Sequence, residues 1–115
     1  RIRLDDGMGY IFENYVFGCL KKKFRNTSAS INFWRTKDSA EVDFIINAGK
    51  IAIPVEVKKQ NLKRPEITRS LRNFIEKYHP PKAYIVNLSL KDTTRIKDTE
   101  VRFITFDEVD FLEIS

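Results

Sequence analysis

Among the charges of the most apolar stretch of the chain, EVDFIINAGKIAIPVEVKK at 41–59, three stand apart: Asp43, Glu56 and Lys58. Two carboxylates and one ammonium in such a setting suit hydrolytic chemistry on a phosphate ester. Gly49-Lys50 reads as a two-residue hairpin turn with glycine first, as a type II′ turn prefers. Ala48 then pairs with Ile51 and, counting back, Asp43 with Glu56. Side chains alternate along a strand. Val42, Phe44, Ile46, Ala48, Ile51, Ile53, Val55 and Val57 make one wholly apolar face, and every ionisable group falls on the other. Opposed carboxylates on a sheet repel. A divalent cation compensates: Mg²⁺ takes hard oxygen ligands from one or two carboxylates and keeps water and substrate phosphate for the rest. Lys58, one step further along the same face, orients the attacking water or stabilises the phosphate charge. Its plainer role is to neutralise the pair. Pro54 has no N–H for a central ladder. A bulge there would re-aim the acidic side chains and shift the register by one residue.

These residues need elements to hold them. The segment 9–23 reads as a helix, with Asp5 or Asp6 near its start and the cations KKK at its end, where the macrodipole favours them. Glu13 leads a stripe of Val16, Phe17, Leu20 and Phe24. It therefore points at protein, as a further member of the acidic cluster or as a first-turn acid favoured by the dipole. Strands are expected at 31–36, 41–48, 51–59, 82–88 and 101–106. A helix is expected at 65–78 with Pro65 at its first position, and a short helix from Asp107. Ile67, Leu71, Phe74, Ile75 and Tyr78 form the apolar stripe of the second helix. The order is α-β-β-β-α-β-β, a mixed central sheet flanked by helices, with a crossover between the third and fourth strands.

The chain has 115 residues, 42% of them hydrophobic, which is one domain with a real core. Its single cysteine, Cys19, excludes an internal disulfide and a thiolate zinc cluster and reads as a small core residue. The one histidine, His79, lies in YHPPK at a helix end, so His-based nucleophilic centres are set aside. No apolar run is long enough to span a membrane and no signal segment opens the chain, so a cytoplasmic location is expected. A net charge of +5 suits a polyanionic partner as well as plain solubility. Lys63, Arg64, Arg69 and Arg72 lie on or just before the polar side of the second helix, as phosphate contacts or as a solvated face. Gln60 follows the lysine and, if the strand continues, points with it toward phosphate or water; otherwise it is a strand-end polar residue. Trp34 reads as packing, and Arg35 as a neutralising neighbour of the acids.

A helix with Glu13, a strand with Asp43 and Glu56-Val57-Lys58 on the next strand, followed by a helix and a strand, resembles the PD-(D/E)XK nuclease fold. The fuller phrasing is narrower. GYIFENYVF, INFWRTKDSAEVDFII, IPVEVKK and LRNFIEKYHPPKAYIVNL resemble the uncharacterised C-terminal domain carried by many prokaryotic AAA-type ATPases. The resemblance implies a restriction-endonuclease-like fold over residues 1–115 in a DNA-related setting. It also implies an ATPase domain upstream in the same polypeptide, since no GxxxxGK[ST] occurs here. The hypothesis is that Asp43, Glu56, the Val57 main-chain carbonyl and Glu13 hold Mg²⁺ or Mn²⁺, with Lys58 serving the nucleophile or the phosphate. Three readings compete: a metal-dependent DNA nuclease, an inactive nuclease-like DNA- or protein-binding module of an ATPase, and an interaction domain using neither metal nor nucleic acid.

Overall fold

The computed structural model describes residues 4–34 and 43–114, with the side chains of the first helix from residue 11 onward. Six strands form one mixed sheet in the order β1-β2-β3-β4-β6-β5. They are β1 Ser30–Phe33, β2 Phe44–Ala48, β3 Ile51–Val57, β4 Lys82–Asn87, β5 Asp92–Ile96 and β6 Thr99–Thr105. The central strands β3, β4 and β6 run parallel, and antiparallel partners extend the sheet at both sides. Helix α1, Leu4–Lys23, and a 3-10 segment, Phe106–Phe111, cover one face, and α2, Arg69–Tyr78, covers the other. No helix among the described residues is long and apolar enough to cross a membrane.

The alternation in the hairpin decides what each face packs against. Phe44, Ile46, Ile53 and Val55 are fully buried against Val16 and Leu20 of α1, with Val109 and Leu112 from the C-terminal segment. On the opposite face Ile45 and Ala52 join Leu71, Phe74 and Ile75 of α2 over Ala83, Ile85, Val101 and Phe103. Each such buried side chain contributes roughly 1.5–3 kcal/mol. Cys19 packs half-buried at the edge of the α1 core.

The hairpin register holds: Ala48 pairs with Ile51, and the ladder runs on to Phe44 and Val55. Gly49 takes a φ of 63°, which its missing Cβ makes cheap. Pro54 causes no bulge. The two-residue turn makes Ala48–Ile51 a hydrogen-bonded pair, and Ile45–Pro54, three steps along the alternating ladder, falls in a non-hydrogen-bonded position. The absent N–H then faces β4, whose ladder with β3 begins only at Val55 and Tyr84.

Several boundaries differ from those read off the sequence. Helix α1 begins at Leu4 rather than at residue 9, so Asp5 and Asp6 lie inside it. Helix α2 begins at Arg69, not at Pro65, because Thr68 caps it: its backbone is extended and its hydroxyl accepts from the Leu71 N–H at 3.2 Å. The last helix is a 3-10 segment entered from Thr105, whose N–H donates to Glu108 at 3.0 Å. Strand β5 is an addition, an exposed edge strand paired with β6. The calls on Arg35, Glu41 and Val42 lie outside the described residues.

Candidate active site

The cluster forms where β2 and β3 part company, at the carboxyl end of β3. Crevices outside the carboxyl ends of parallel strands are where open α/β sheets bind ligands. Asp43 sits one residue before β2. Its N–H donates to the Val55 carbonyl at 3.1 Å, one position out of step with the ladder. That slip turns its carboxylate away from a face-to-face pairing with Glu56 and into the strand end, where Oδ2 accepts the Val57 N–H at 2.6 Å. The expected direct opposition of the two acids is therefore corrected: they remain neighbours, and Glu56 still raises the Asp43 pKa through charge.

Burial pushes the Asp43 carboxyl up to about 8. The Val57 N–H works against that shift, while the charge of Glu13, a hydrogen bond to Glu13 and the charge of Glu56 add to it. The signs identify the arrangement. Burial and the two neighbouring acids favour the protonated form of Asp43, while its Oδ2 accepts from the Val57 N–H. Glu13 reaches it from the stripe of α1, as its position four and seven residues ahead of Phe17 and Leu20 requires.

Glu56 is 1% exposed. Burying a carboxylate demands compensation, and two groups supply it. Lys58 Nζ stands 3.1 Å from Oε2, close enough for an ion pair though not aligned as a hydrogen bond. The Thr68 hydroxyl donates to Oε1 at 3.1 Å. Lys58 is itself anchored, its N–H donating to the Val86 carbonyl at 2.8 Å. Thr68 thus caps α2 and ties that helix to the acid on β3. Sequence reading passed over it. The available signal was a threonine directly before the amphipathic run RSLRNFIEKY.

Glu13, Asp43, Glu56 and Lys58 are thus brought together. Val57 enters through its N–H. Gln60, Lys63, Arg64, Arg69 and Arg72 are exposed. Arg69 follows Thr68 directly, and the Gln60 carbonyl accepts from the Leu88 N–H at 3.0 Å, so both stand beside the cluster rather than in it. Among the described residues no three acidic, histidine or cysteine side chains form a ready metal cage. Trp34 packs edge-on to Phe74 and Tyr78, and its N–H donates to the Asp43 carbonyl at 3.0 Å.

A family model described as Domain of unknown function (DUF4143) matches residues 8–109, which include the whole cluster. No curated protein matches the chain.

Proposed function

Because this chain belongs to that uncharacterised family, its function must be argued from the site, and we propose that it is a metal-dependent, nuclease-like domain acting on DNA phosphodiester bonds. The observation that carries the reading is the convergence of two buried carboxylates, Asp43 and Glu56, with Lys58 at the carboxyl end of β3. The order of elements and the placing of Glu13 support the likeness to PD-(D/E)XK nucleases. The donor set suits a hard cation: both acids offer oxygen, and the charge of Asp43 is suppressed by burial, a penalty that a bound cation relieves. Asp43, Glu56 and the Val57 carbonyl would hold Mg²⁺ or Mn²⁺, with Glu13 as neighbour. Such an ion supplies Lewis acidity toward a phosphoryl oxygen and lowers the pKa of water. Lys58 then serves the phosphate or the nucleophile, its backbone held by the β3–β4 ladder and its ammonium 3.1 Å from Glu56. Thr68 fixes the Glu56 carboxylate, and the cations of 63–72 offer contacts to the phosphate backbone. The resemblance to C-terminal domains of AAA-type ATPases adds an ATPase in the same polypeptide as the proposed partner.

One observation favours a second reading, an inactive nuclease-like DNA- or protein-binding module serving such an ATPase. Each acid already has its charge met, Asp43 by burial that raises its pKa to about 8 and Glu56 by Lys58. Incubating plasmid and single-stranded DNA with the protein, in EDTA and in Mn²⁺, separates the two. Cleavage that needs Mn²⁺ and disappears in Lys58→Ala supports the nuclease. DNA binding with no cleavage under any condition supports the module.

A further inference from the structure

The α2 face of the sheet carries a groove of about 310 Å³, lined by Asn32, Trp34, Asn47, Phe74 and Tyr78 among others. We infer that this groove holds one unpaired base of a single-stranded DNA segment bound at the acidic cluster, an inference that rests on the nucleic-acid reading above. Its volume is near the lower bound of small-ligand sites, ~300 Å³, which suits a single flat ring system. Its walls are aromatic: Trp34 meets Phe74 at 5.4 Å and Tyr78 at 6.2 Å between ring centroids, both edge to face, and Tyr78 is 45% exposed.

An amide pair lines one side of it. Asn47 Nδ2 donates to Asn32 Oδ1 at 2.8 Å, and that oxygen also accepts from Ser30 Oγ at 3.1 Å. Both lone pairs of Asn32 Oδ1 are thereby used. Asn32 and Asn47 both line the groove, and side-chain amides carry the donor and acceptor groups that a nucleobase edge pairs with. Charge selects among flat ligands. Lys77 Nζ sits 5.3 Å from the ring centroid of Tyr78, which lines the groove, on a chain of net charge +5, so an anionic strand fits better than a neutral ring.

Position links the groove to the cluster. Trp34 is bonded through its backbone to Asp43. Ala52, on the groove side, lies on the same strand face as Glu56, about 13 Å away at ~3.3 Å per residue. A short oligonucleotide passing Asp43 and Glu56 therefore reaches the groove.

Trp34 is the only tryptophan in the chain, so its fluorescence reports this groove alone. The test titrates the protein, in EDTA, with a mixed-sequence single-stranded oligonucleotide, an abasic oligonucleotide of equal length and a nucleoside monophosphate. Binding is read by the anisotropy of end-labelled strands and by Trp34 emission. The expected result is quenching by the base-bearing strand only, with the abasic strand bound roughly five- to a hundredfold more weakly. Tyr78→Ala and Asn32→Ala, both at exposed positions, should weaken the base-bearing strand by a similar factor and leave the abasic strand unchanged. Equal affinity for both strands, unchanged Trp34 emission on binding, a monophosphate that binds as tightly as the strand, or no strand binding at all would each overturn the inference. The nuclease reading fails separately: quenching that persists in a protein unable to cleave in Mn²⁺ keeps the groove and removes the nuclease. Cleavage without any change at Trp34 does the reverse.

Discussion

Replacing Asp43 with asparagine isolates the proton that the buried acid holds. The folded-state pKa is about 8, against an ordinary value of 3.8. Between those values the folded protein keeps a proton that the unfolded chain has released. A raised carboxyl pKa therefore contributes stability that is full below about 3.8 and is lost as pH rises toward 8. One proton corresponds to ~1.4 kcal/mol per pH unit, or on the order of 5 kcal/mol over the window. Asparagine mimics the protonated acid: its amide donates toward Glu13 and its oxygen accepts from Val57, and it does not titrate. The substitution should leave stability nearly unchanged near pH 4. It should then exceed the wild type by a margin growing ~1.4 kcal/mol per pH unit up to about 8. Urea denaturation in EDTA at pH 5, 6, 7 and 8 measures this. Every other titrating group is common to both proteins, so the difference belongs to residue 43. Mn²⁺ should stabilise only the wild type, by ~2.7 kcal/mol at a hundredfold excess over Kd. Parallel stability profiles for the two proteins would refute the neutral buried acid. A substitution that lowers stability by several kcal/mol at pH 7 would mean that Asp43 is ionised and holds the sheet together.

Removing the ammonium by Lys58→Met should cost ~3–5 kcal/mol in urea denaturation, because the 1% exposed Glu56 carboxylate loses its counter-charge, and adding Glu56→Gln should recover most of it. Additivity of the two changes would argue against the pair. Thr68→Ala should cost ~1 kcal/mol as a lost cap, plus ~1.5–3 kcal/mol for the bond to Glu56, whereas Thr68→Ser should behave as wild type. An alanine variant as stable as the serine one would contradict both roles. His79 closes α2 in a left-handed conformation with φ of 50° and ψ of 52°. His79→Gly should raise the midpoint by ~0.5–1 kcal/mol worth of stability, and a fall would show that the histidine ring makes its own contribution.

Local pattern carried the hairpin and the two helix stripes. The alternation from Phe44 to Val57 and a glycine able to take positive φ settle the register through short-range physics, so Asp43, Glu56 and Lys58 were legible as neighbours. Glu13 was legible because helical spacing puts it in line with Val16 and Leu20. What lay beyond the sequence depends on contacts between elements. Strand β5 has one buried residue in five and no apolar alternation; it is a strand because β6 offers an edge to pair with. The start of α2 follows Thr68 rather than Pro65, since that hydroxyl can serve both the helix N-terminus and Glu56 only when α2 lies against β3. Neither the one-residue slip at Asp43 nor its capture of the Val57 N–H has a signature in residue order. The protonation of Asp43 is the clearest case. Residue order places carboxylates near one another, but only the packed sheet and α1 exclude water from them, and it is mainly that desolvation that lifts the pKa to about 8.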